Sequence, residues 1–323
     1  AKCFADGAEI FFGGMSDHYT VPVHDYDPKG HFPEDDIRVG QGFSTDIFAG
    51  VATEFLRQYP GRDPFCLYVA FTAPHDPRTP PDEFAYSPDE LQLPDNFLPR
   101  HPFDNGELDV RDEMLASCPR TRGAIRQHLA DYYGMVSHLD SAIGTILKAL
   151  EETGFSENTL VIYTADHGLA LGQHGLLGKQ NLYEHSIKVP FLIRGPQIPA
   201  NNRSDAFCYL HDLAATLFDA LHLAIPGSVE GRSFWETIRG GENHRNIVCS
   251  AFKNKQRSIR DQGYKLIEYH VGDATRRQMF DLVSDPLEIH NLLEAGQTHQ
   301  ELPALQHKLK QWQLSVGDPL AGH

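Results

Sequence analysis

Acidic, imidazole and ammonium side chains follow a short apolar run near the middle of the chain. Leu160–Tyr163 predicts a buried strand, and Asp166 and His167 come directly after it. The glycine-rich loop that follows carries His174 and Lys179. Ligands of open α/β sheets bind outside the carboxyl ends of the strands. Since carboxylate and imidazole groups suit a divalent cation and an ammonium group suits an anion, this stretch predicts a site for both.

His75 marks a second predicted strand end with polar residues. It follows Phe65–Phe71, an apolar run that predicts a strand buried on both faces, and Pro74 and Pro77 restrain the backbone around it. A restrained imidazole suits a general acid or an oxyanion donor. A loop histidine that is hydrogen-bonded locally is the structural alternative.

The other candidates also have structural alternatives. An Asp-His-Gly tripeptide is a weak signal outside its strand-end context, and a lone lysine such as Lys179 is usually a solvated surface charge. In a loop tethered to the metal site, Lys179 would instead bind an oxygen of sulfate or phosphate as a point charge. His174 and Glu184 are weaker candidates, because each serves equally well as a structural hydrogen-bond partner.

The surrounding elements predict an α/β fold with a mostly parallel sheet covered by helices on both faces. Apolar residues at helical spacing predict helices over 44–59, 125–150 and 211–223, which alternate with the strands. After Gly240-Gly241, short strands and an amphipathic helix predict a small C-terminal α+β subdomain of antiparallel strands. The predicted domains are therefore a partial catalytic α/β domain over 1–243 and an antiparallel-sheet subdomain over 244–323.

Composition excludes several classes of function. The formal net charge of −16 argues against a nucleic-acid partner, which would need clustered Lys and Arg. An apolar run near 18 residues is absent from the sequence, so no transmembrane helix and no membrane partner are predicted. The five cysteines are scattered and predict neither a disulfide framework nor a zinc site. The sequence also lacks a GxSxG elbow, a P-loop and an HExxH helix.

Three motifs together resemble the sulfatases of the alkaline phosphatase superfamily. Residues 164–179, continuing to Val189-Pro190, resemble the family's second metal- and sulfate-binding segment. Pro74-His75-Asp76-Pro77 is similar to its Pro-His-x-Pro element, and residues 279–292 resemble its C-terminal signature. The motifs occur in the family's order and cover most of the chain.

The resemblance implies a hydrolase that cleaves a sulfate ester, with a sulfated carbohydrate or a similar ester as the small anionic substrate. It implies a calcium ion bound partly by Asp166 and His167, and Lys179 in contact with a sulfate oxygen. His75 would bind the sulfate or protonate the leaving alcohol, and His174 is a weaker candidate for substrate binding. The implied nucleophile is a hydrated formylglycine made from Cys or Ser, with charge stabilised by the metal and the cations.

The family's Cys/Ser-x-Pro/Ala-x-Arg motif is not found. The segments that start at Cys118 and Cys249 depart from it, and the segment that starts at Cys3 follows the nucleophile in the family. We therefore expect an N-terminally truncated sulfatase whose nucleophile and remaining metal ligands lie outside this sequence. The alternatives are a non-catalytic remnant and a phosphodiesterase or phosphonate monoester hydrolase of the same superfamily. Missing first strands would expose sheet edges, which favour aggregation or a homo-oligomer.

Overall fold

The computed structural model describes residues 4–242 and 244–322, so Cys3 lies outside the described residues. The chain forms two units. The first comprises Ala1–Gln92 and Gly123–Thr159, and the second comprises Leu93–Arg122 and Leu160–His323. The predicted boundary between residues 243 and 244 falls inside the second unit and stays a prediction. His75 belongs to the first unit, and the other four candidate residues belong to the second.

The first unit is built on two helices. The short strands β1 (Pro22–Val23) and β2 (Arg38–Val39) pair antiparallel and precede helix α1 (Ser44–Gln58) and the long helix α2 (Arg122–Glu152). Apolar residues recur on one face of each helix, which buries that face and leaves the other polar. Both predicted helices are confirmed. Among the described residues, no helix combines the length and the apolar character needed to span a bilayer.

The predicted strand over Phe65–Phe71 is wrong. This segment belongs to no strand within the described part of the chain, and the side chain of Tyr68 is 73% exposed. Val69 and Phe71 pack against a small core that contains Val21 and Phe48. Only alternate residues therefore reach apolar neighbours, because the segment has a core on one side and no paired strand in the described structure.

In the second unit, strand β3 (Val161–Thr164) is followed by the one-turn helix α3 (Glu184–Ile187) and strand β4 (Phe191–Arg194). The expected parallel pairing is not found in the described residues: β3 pairs antiparallel with β4, and all three sheets are antiparallel. A parallel pair needs a crossover, usually a helix of several turns. The connection over residues 165–190 is a loop with a single helical turn, and it returns the chain in the opposite direction.

The predicted C-terminal subdomain is confirmed as an antiparallel sheet with a helix. After helices α4 (Asp212–Ala220) and α5 (Trp235–Ile238), four strands pair in sequence order, and helix α6 (Leu302–Ser315) follows them. Leu305 and Leu309 of α6 pack on one face of the sheet, whereas Tyr183 and Leu176 pack on the other. The strands are β5 (Val248–Phe252), β6 (Gln256–Arg260), β7 (Tyr264–Val271) and β8 (Ala274–Asp281).

A buried ammonium group explains part of the C-terminal motif. Lys265 on β7 is fully buried, and its Nζ lies 3.0 Å from Glu184 Oε1 and 2.7 Å from Glu288 Oε1. The second oxygen of Glu288 accepts a hydrogen bond of 2.7 Å from the backbone N–H of Glu184. Glu288 therefore joins the Asp-Pro-Leu-Glu segment to the first residue of α3, and the motif stabilises this end of the β3–β4 connection.

A second buried charge, Asp212, fixes the start of α4. Its carboxylate accepts hydrogen bonds of 2.7 and 3.0 Å from Arg245, which precedes β5. Backbone N–H groups of Arg232 and Tyr209 donate to the same carboxylate. Burial alone would raise the pKa of Asp212, but these hydrogen bonds outweigh it and leave the pKa below its usual range.

Three histidines, His101, His174 and His185, surround the buried ring of Tyr183. The His174 ring stacks on Tyr183 with a centroid distance of 3.9 Å, and His185 stacks on it at 5.6 Å. Nε2 of His101 lies 3.1 Å from the Tyr183 hydroxyl. Burial lowers the pKa of all three histidines, and that of His174 to about 4. The core of the second unit therefore holds its histidines in the neutral form.

We predict that replacing Arg245 with Met lowers the free energy of unfolding by about 3–5 kcal/mol, because it leaves the Asp212 carboxylate buried without its cation. Urea denaturation measures the loss. Arg239→Met is the matched control: Arg239 pairs with exposed Glu236 at the surface, and such pairs contribute about 0–1 kcal/mol. Equal losses in the two variants would contradict the role given to Asp212.

Acid should destabilise the protein through its buried histidines. A histidine whose pKa is lowered by folding contributes stability above the unfolded pKa of 6.5 and loses it as the pH falls toward the folded pKa. For His174, with a folded pKa of about 4, the loss by pH 5 is roughly 2 kcal/mol. Urea midpoints measured from pH 7 to pH 5 should fall less in His174→Gln than in the wild type. The control His290→Gln changes an exposed ring and should keep the wild-type slope.

Candidate active site

Asp166 and His167 lie at the end of β3, where the sequence predicted them. The carboxylate of Asp166 is exposed and accepts the backbone N–H of His167 at 2.9 Å. Nδ1 of His167 lies 3.0 Å from the carbonyl oxygen of Gly168, so this nitrogen carries the proton and donates it. In the neutral ring, Nε2 then presents its lone pair, and it lies 3.3 Å from Asp166 Oδ2. A carboxylate oxygen and a ring nitrogen therefore lie close together at the end of β3.

This pair fits a divalent cation in the kind of donors but not in their number. A metal-bound histidine typically donates its other ring N–H to a carbonyl, as His167 does to Gly168. Calcium takes six to eight ligands. Within residues 4–242 and 244–322, no group of three or more His, Cys, Asp and Glu side chains is arranged to hold a metal ion. Asp166 and His167 are therefore fewer side-chain donors than a calcium site needs.

The loop that carries Lys179 is held by Glu113, a residue that sequence analysis missed. The Glu113 carboxylate is buried in a short 3-10 helix, Arg111–Leu115, and accepts backbone N–H groups of Leu177 at 3.0 Å and Gly178 at 2.8 Å. Arg120 completes the set with a buried ion pair of 2.5 Å. Burial raises the pKa of Glu113, and the two backbone hydrogen bonds and Arg120 oppose that rise. The carboxylate thus fixes the two residues before Lys179.

Two glycines let the loop approach this close. A Cβ on Gly178 would lie 2.9 Å from Glu113 Oε1, inside the contact limit. At Gly175 the backbone has φ +77°, and a Cβ would lie 2.3 Å from the backbone carbonyl carbon of Arg100. A side chain at either position would push the loop away from its support.

Lys179 itself lies beside a second carboxylate. Its Nζ is 4.0 Å from Asp112 Oδ2, and its side chain is about a quarter exposed. Gln180 donates to the same Asp112 oxygen at 2.9 Å. Glu113 holds the backbone before Lys179, and Asp112 lies beside the Lys179 ammonium group. Two consecutive acidic residues therefore position Lys179. These contacts join residues more than 60 positions apart, and no local spacing signals them.

His174 occupies a different environment from its neighbours in the loop. It is 5% exposed and has φ +52°, and its ring lies in the stack on Tyr183. Nε2 lies 3.2 Å from Asn96 Nδ2, which donates to it because burial keeps the ring neutral. These contacts favour the structural alternative for His174.

His75 lies in the first unit in a turn whose backbone is fixed on both sides. Its N–H donates to the carbonyl of Thr72 at 3.0 Å, and its carbonyl oxygen lies 2.9 Å from Nε2 of His18. Nδ1 of His75 donates to the carbonyl of Asp76 at 2.9 Å. The structure therefore brings Asp166 and His167 together, holds Lys179 on the same loop, and places His174 in the core of the second unit.

The segments that resembled a nucleophile motif have structural roles or different surroundings. Arg120, two residues after Cys118, is the buried partner of Glu113 and also donates to the carbonyls of Gly175 and Ala116. Cys249 is buried on β5, and burial raises the pKa of its thiol to about 12. Arg120 therefore serves the loop that Glu113 holds, and Cys249 belongs to the core beneath helix α6.

Family models match most of the chain. The model described as sulfatase matches residues 3–223. A second model, described as N-sulphoglucosamine sulphohydrolase, C-terminal, matches residues 172–315 and so includes the four-stranded sheet and α6. Together the two models include all three motifs that carried the resemblance.

Individual relatives agree with the models. The arylsulfatase of Clostridium perfringens is 28% identical over 274 residues, which cover 81% of this chain and 56% of that protein. The N-acetylglucosamine-6-O-sulfatase of Bacteroides thetaiotaomicron is 25% identical in a match that covers 91% of this chain and 65% of that protein. The chain spans about half the length of the first curated relatives it matches.

A solved structure confirms the fold. It is described as a complex with its substrate D-glucosamine-2-N,6-O-disulfate, and it superposes with a TM-score of 0.78 at 23% identity. The match covers 94% of this chain and 74% of that chain. This likeness confirms the predicted sulfatase-like α/β architecture, and because the family model covers more than half of the residues, the chain belongs to the sulfatase family.

Proposed function

We propose that this chain serves the hydrolysis of a sulfate ester on a sulfated amino sugar. The observation that carries the proposal is the donor pair at the end of β3: the carboxylate of Asp166 and the Nε2 lone pair of His167 lie 3.3 Å apart in a member of the sulfatase family. Asp166 and His167 would supply two ligands of a divalent cation, for which the family suggests calcium. A cation bound there would neutralise charge on the sulfate group.

Lys179 would bind a sulfate oxygen as a point charge. Asp112 lies 4.0 Å from its ammonium group, a separation longer than a direct hydrogen bond. Glu113 supports the proposal, because it fixes the backbone on which Lys179 is carried. The loop would therefore present a cation whose position is set before substrate binds.

His75 would act at the leaving oxygen. Its Nδ1–H is engaged by the carbonyl of Asp76, and proton exchange with substrate would take place at Nε2. In the cationic ring, Nε2–H donates a proton to the leaving alkoxide, and in the neutral ring Nε2 accepts one. The proposed nucleophile is a formylglycine, which neither Cys118 nor Cys249 provides. His174 would act through the packing of the loop rather than by contact with substrate.

The substrate class rests on relatives that act on sulfated glucosamine. One relative is named an N-acetylglucosamine-6-O-sulfatase, and a structural neighbour is described with D-glucosamine-2-N,6-O-disulfate. Hydrolysis of a phosphate diester or phosphonate by the same residues is the second candidate, and a non-catalytic remnant is the third. A homo-oligomer stays a prediction.

We predict that this chain, in a protein that supplies the formylglycine, releases sulfate from N-acetylglucosamine-6-sulfate in a calcium-dependent reaction. Lys179→Ala should lower kcat/KM by about 10²–10³-fold, the usual effect of removing one group that stabilises transition-state charge. Lys188→Ala, an exposed lysine nine residues further on, is the control and should leave the rate unchanged. Ion chromatography measures the released sulfate.

The same assay decides between the candidate functions. Faster turnover of a phosphonate monoester than of the sulfate ester would support the phosphonate hydrolase. No turnover of either ester by the calcium-loaded protein would support the non-catalytic remnant, and both results would contradict the proposal.

We predict that Glu113→Gln frees the loop that carries Lys179. The change keeps the size of the side chain but replaces one of its two acceptor oxygens with an NH2 donor, so a buried N–H of Arg120 or of the loop backbone loses its acceptor. Hydrogen exchange at Leu177 and Gly178 should rise by about 10- to 100-fold, which corresponds to the loss of about 1–3 kcal/mol. Mass spectrometry of the exchanged peptides measures the change. The control Asp109→Asn changes an exposed carboxylate nearby, and equal exchange in both variants would show that Glu113 does not hold the loop.

A further inference from the structure

His18 is a buried histidine whose ring nitrogens both meet polar groups. It is 1% exposed, and its ring stacks on Phe43 with an interplanar angle of 5° and a centroid distance of 5.1 Å. Nε2 lies 2.9 Å from the carbonyl oxygen of His75, and Nδ1 lies 2.7 Å from Oγ of Ser44. Ser44 Oγ in turn lies 3.2 Å from Oγ1 of Thr72. All these residues belong to the first unit.

The chemistry of the groups fixes the direction of each hydrogen bond. A carbonyl oxygen only accepts, so Nε2 of His18 carries a proton and donates it to His75. In the neutral ring, Nδ1 is then an acceptor, and the hydroxyl of Ser44 donates to it. That leaves the oxygen of Ser44 to accept from the hydroxyl of Thr72. Thr72 therefore donates to Ser44, Ser44 donates to His18, and His18 donates to the carbonyl of His75.

This series of hydrogen bonds begins and ends in the same turn, residues 72–75. The backbone N–H of His75 donates to the carbonyl of Thr72, the residue whose hydroxyl begins the series. The peptide groups on both sides of the His75 Cα are therefore held, one by Thr72 and the other by His18. With Nδ1 of His75 also engaged by the carbonyl of Asp76, little freedom is left to its ring.

We propose that His18 is a positioning residue for His75, and that Ser44 and Thr72 hold its ring in the Nε2–H tautomer. The inference rests on the proposed function of His75, because positioning has a catalytic use only if His75 acts on substrate. His18 bonds to the backbone carbonyl of His75 and would act through the placement of His75. Its donor holds the carbonyl of His75 in place, so that Nε2 of His75 keeps one direction.

Burial supports the neutral state that this arrangement requires. Burial lowers the pKa of His18, although its hydrogen bond to the His75 backbone and the nearby carboxylates of Asp17 and Asp76 oppose the shift. A charged ring would donate from Nδ1 as well, and the hydroxyl of Ser44 would have to turn its proton toward Thr72. The neutral ring needs no such rearrangement.

A role in packing alone predicts something different. Stacking on Phe43 depends on the ring and not on its protons, so either tautomer, or a phenyl ring, would satisfy it. Positioning depends on the Nε2–H donor. His18→Phe therefore keeps the aromatic contact and removes the donor, and it separates the two roles.

The test is the tautomer and the coupling of the rings, measured by long-range ¹H–¹⁵N correlation on the ¹⁵N-histidine-labelled chain. In the wild type at pH 7, His18 should show the neutral Nε2–H pattern, with Nδ1 far downfield of Nε2. His18→Phe should shift the ring signals of His75 and raise hydrogen exchange of the His75 amide by about tenfold, equivalent to about 1.4 kcal/mol. The matched control His24→Phe changes another buried histidine of the same unit and should leave His75 unchanged.

Two results would overturn the inference. One is an Nδ1–H or charged His18 ring in the wild type. That measurement does not depend on whether a variant folds. The other is a His75 spectrum that is the same in His18→Phe as in the wild type. Titration of the wild type with N-acetylglucosamine-6-sulfate separately tests the proposed function of His75. If the ester leaves His75 unchanged while His18 behaves as proposed, the proposed function fails and the positioning geometry stands.

Discussion

The loop that carries Lys179 depends on one buried carboxylate, that of Glu113. A buried carboxylate costs free energy unless it is paired and hydrogen-bonded, and Glu113 meets both conditions through Arg120 and two backbone N–H groups. The residues that carry those N–H groups directly precede Lys179. The hydrogen bonds that compensate for the burial of Glu113 therefore also position Lys179. The glycine at position 178 belongs to it, because no side chain fits against the carboxylate.

The same principle recurs where backbone segments must meet. Asp212 takes Arg245 and two backbone N–H groups, and Lys265 takes Glu184 and Glu288. Each pair joins segments that are far apart in sequence. Each also buries a charge, which costs free energy when its partner is missing. Buried ion pairs contribute little net stability compared with apolar packing, so we infer that these pairs chiefly select one arrangement of loops around the sheets.

Sequence reasoning succeeded where the signal is local. Apolar periodicity placed α1 and α2, because a helix buries one face at a fixed spacing, and short strands separated by turns placed the C-terminal sheet. It failed where the structure depends on which strands pair and in which direction. Phe65–Phe71 has the composition of a strand but no strand partner in the described structure, and the direction of β3 against β4 follows from their connection rather than their residues. Glu113 and His18 act on residues 64 and 57 positions away, beyond any motif.

The proposed function requires Asp166 and His167 to act as a ligand pair, and paramagnetic broadening by Mn²⁺ tests this requirement most directly. Mn²⁺ is a hard divalent cation whose effect on nearby nuclei is detectable even at low occupancy, so two ligands suffice to reveal the site. We predict that Mn²⁺ broadens the amide signals of residues 165–168 and the ring signals of His167 first, and that Asp166→Asn removes this preference. Broadening that spreads evenly over exposed carboxylates, with residues 165–168 unaffected by the substitution, would contradict the account.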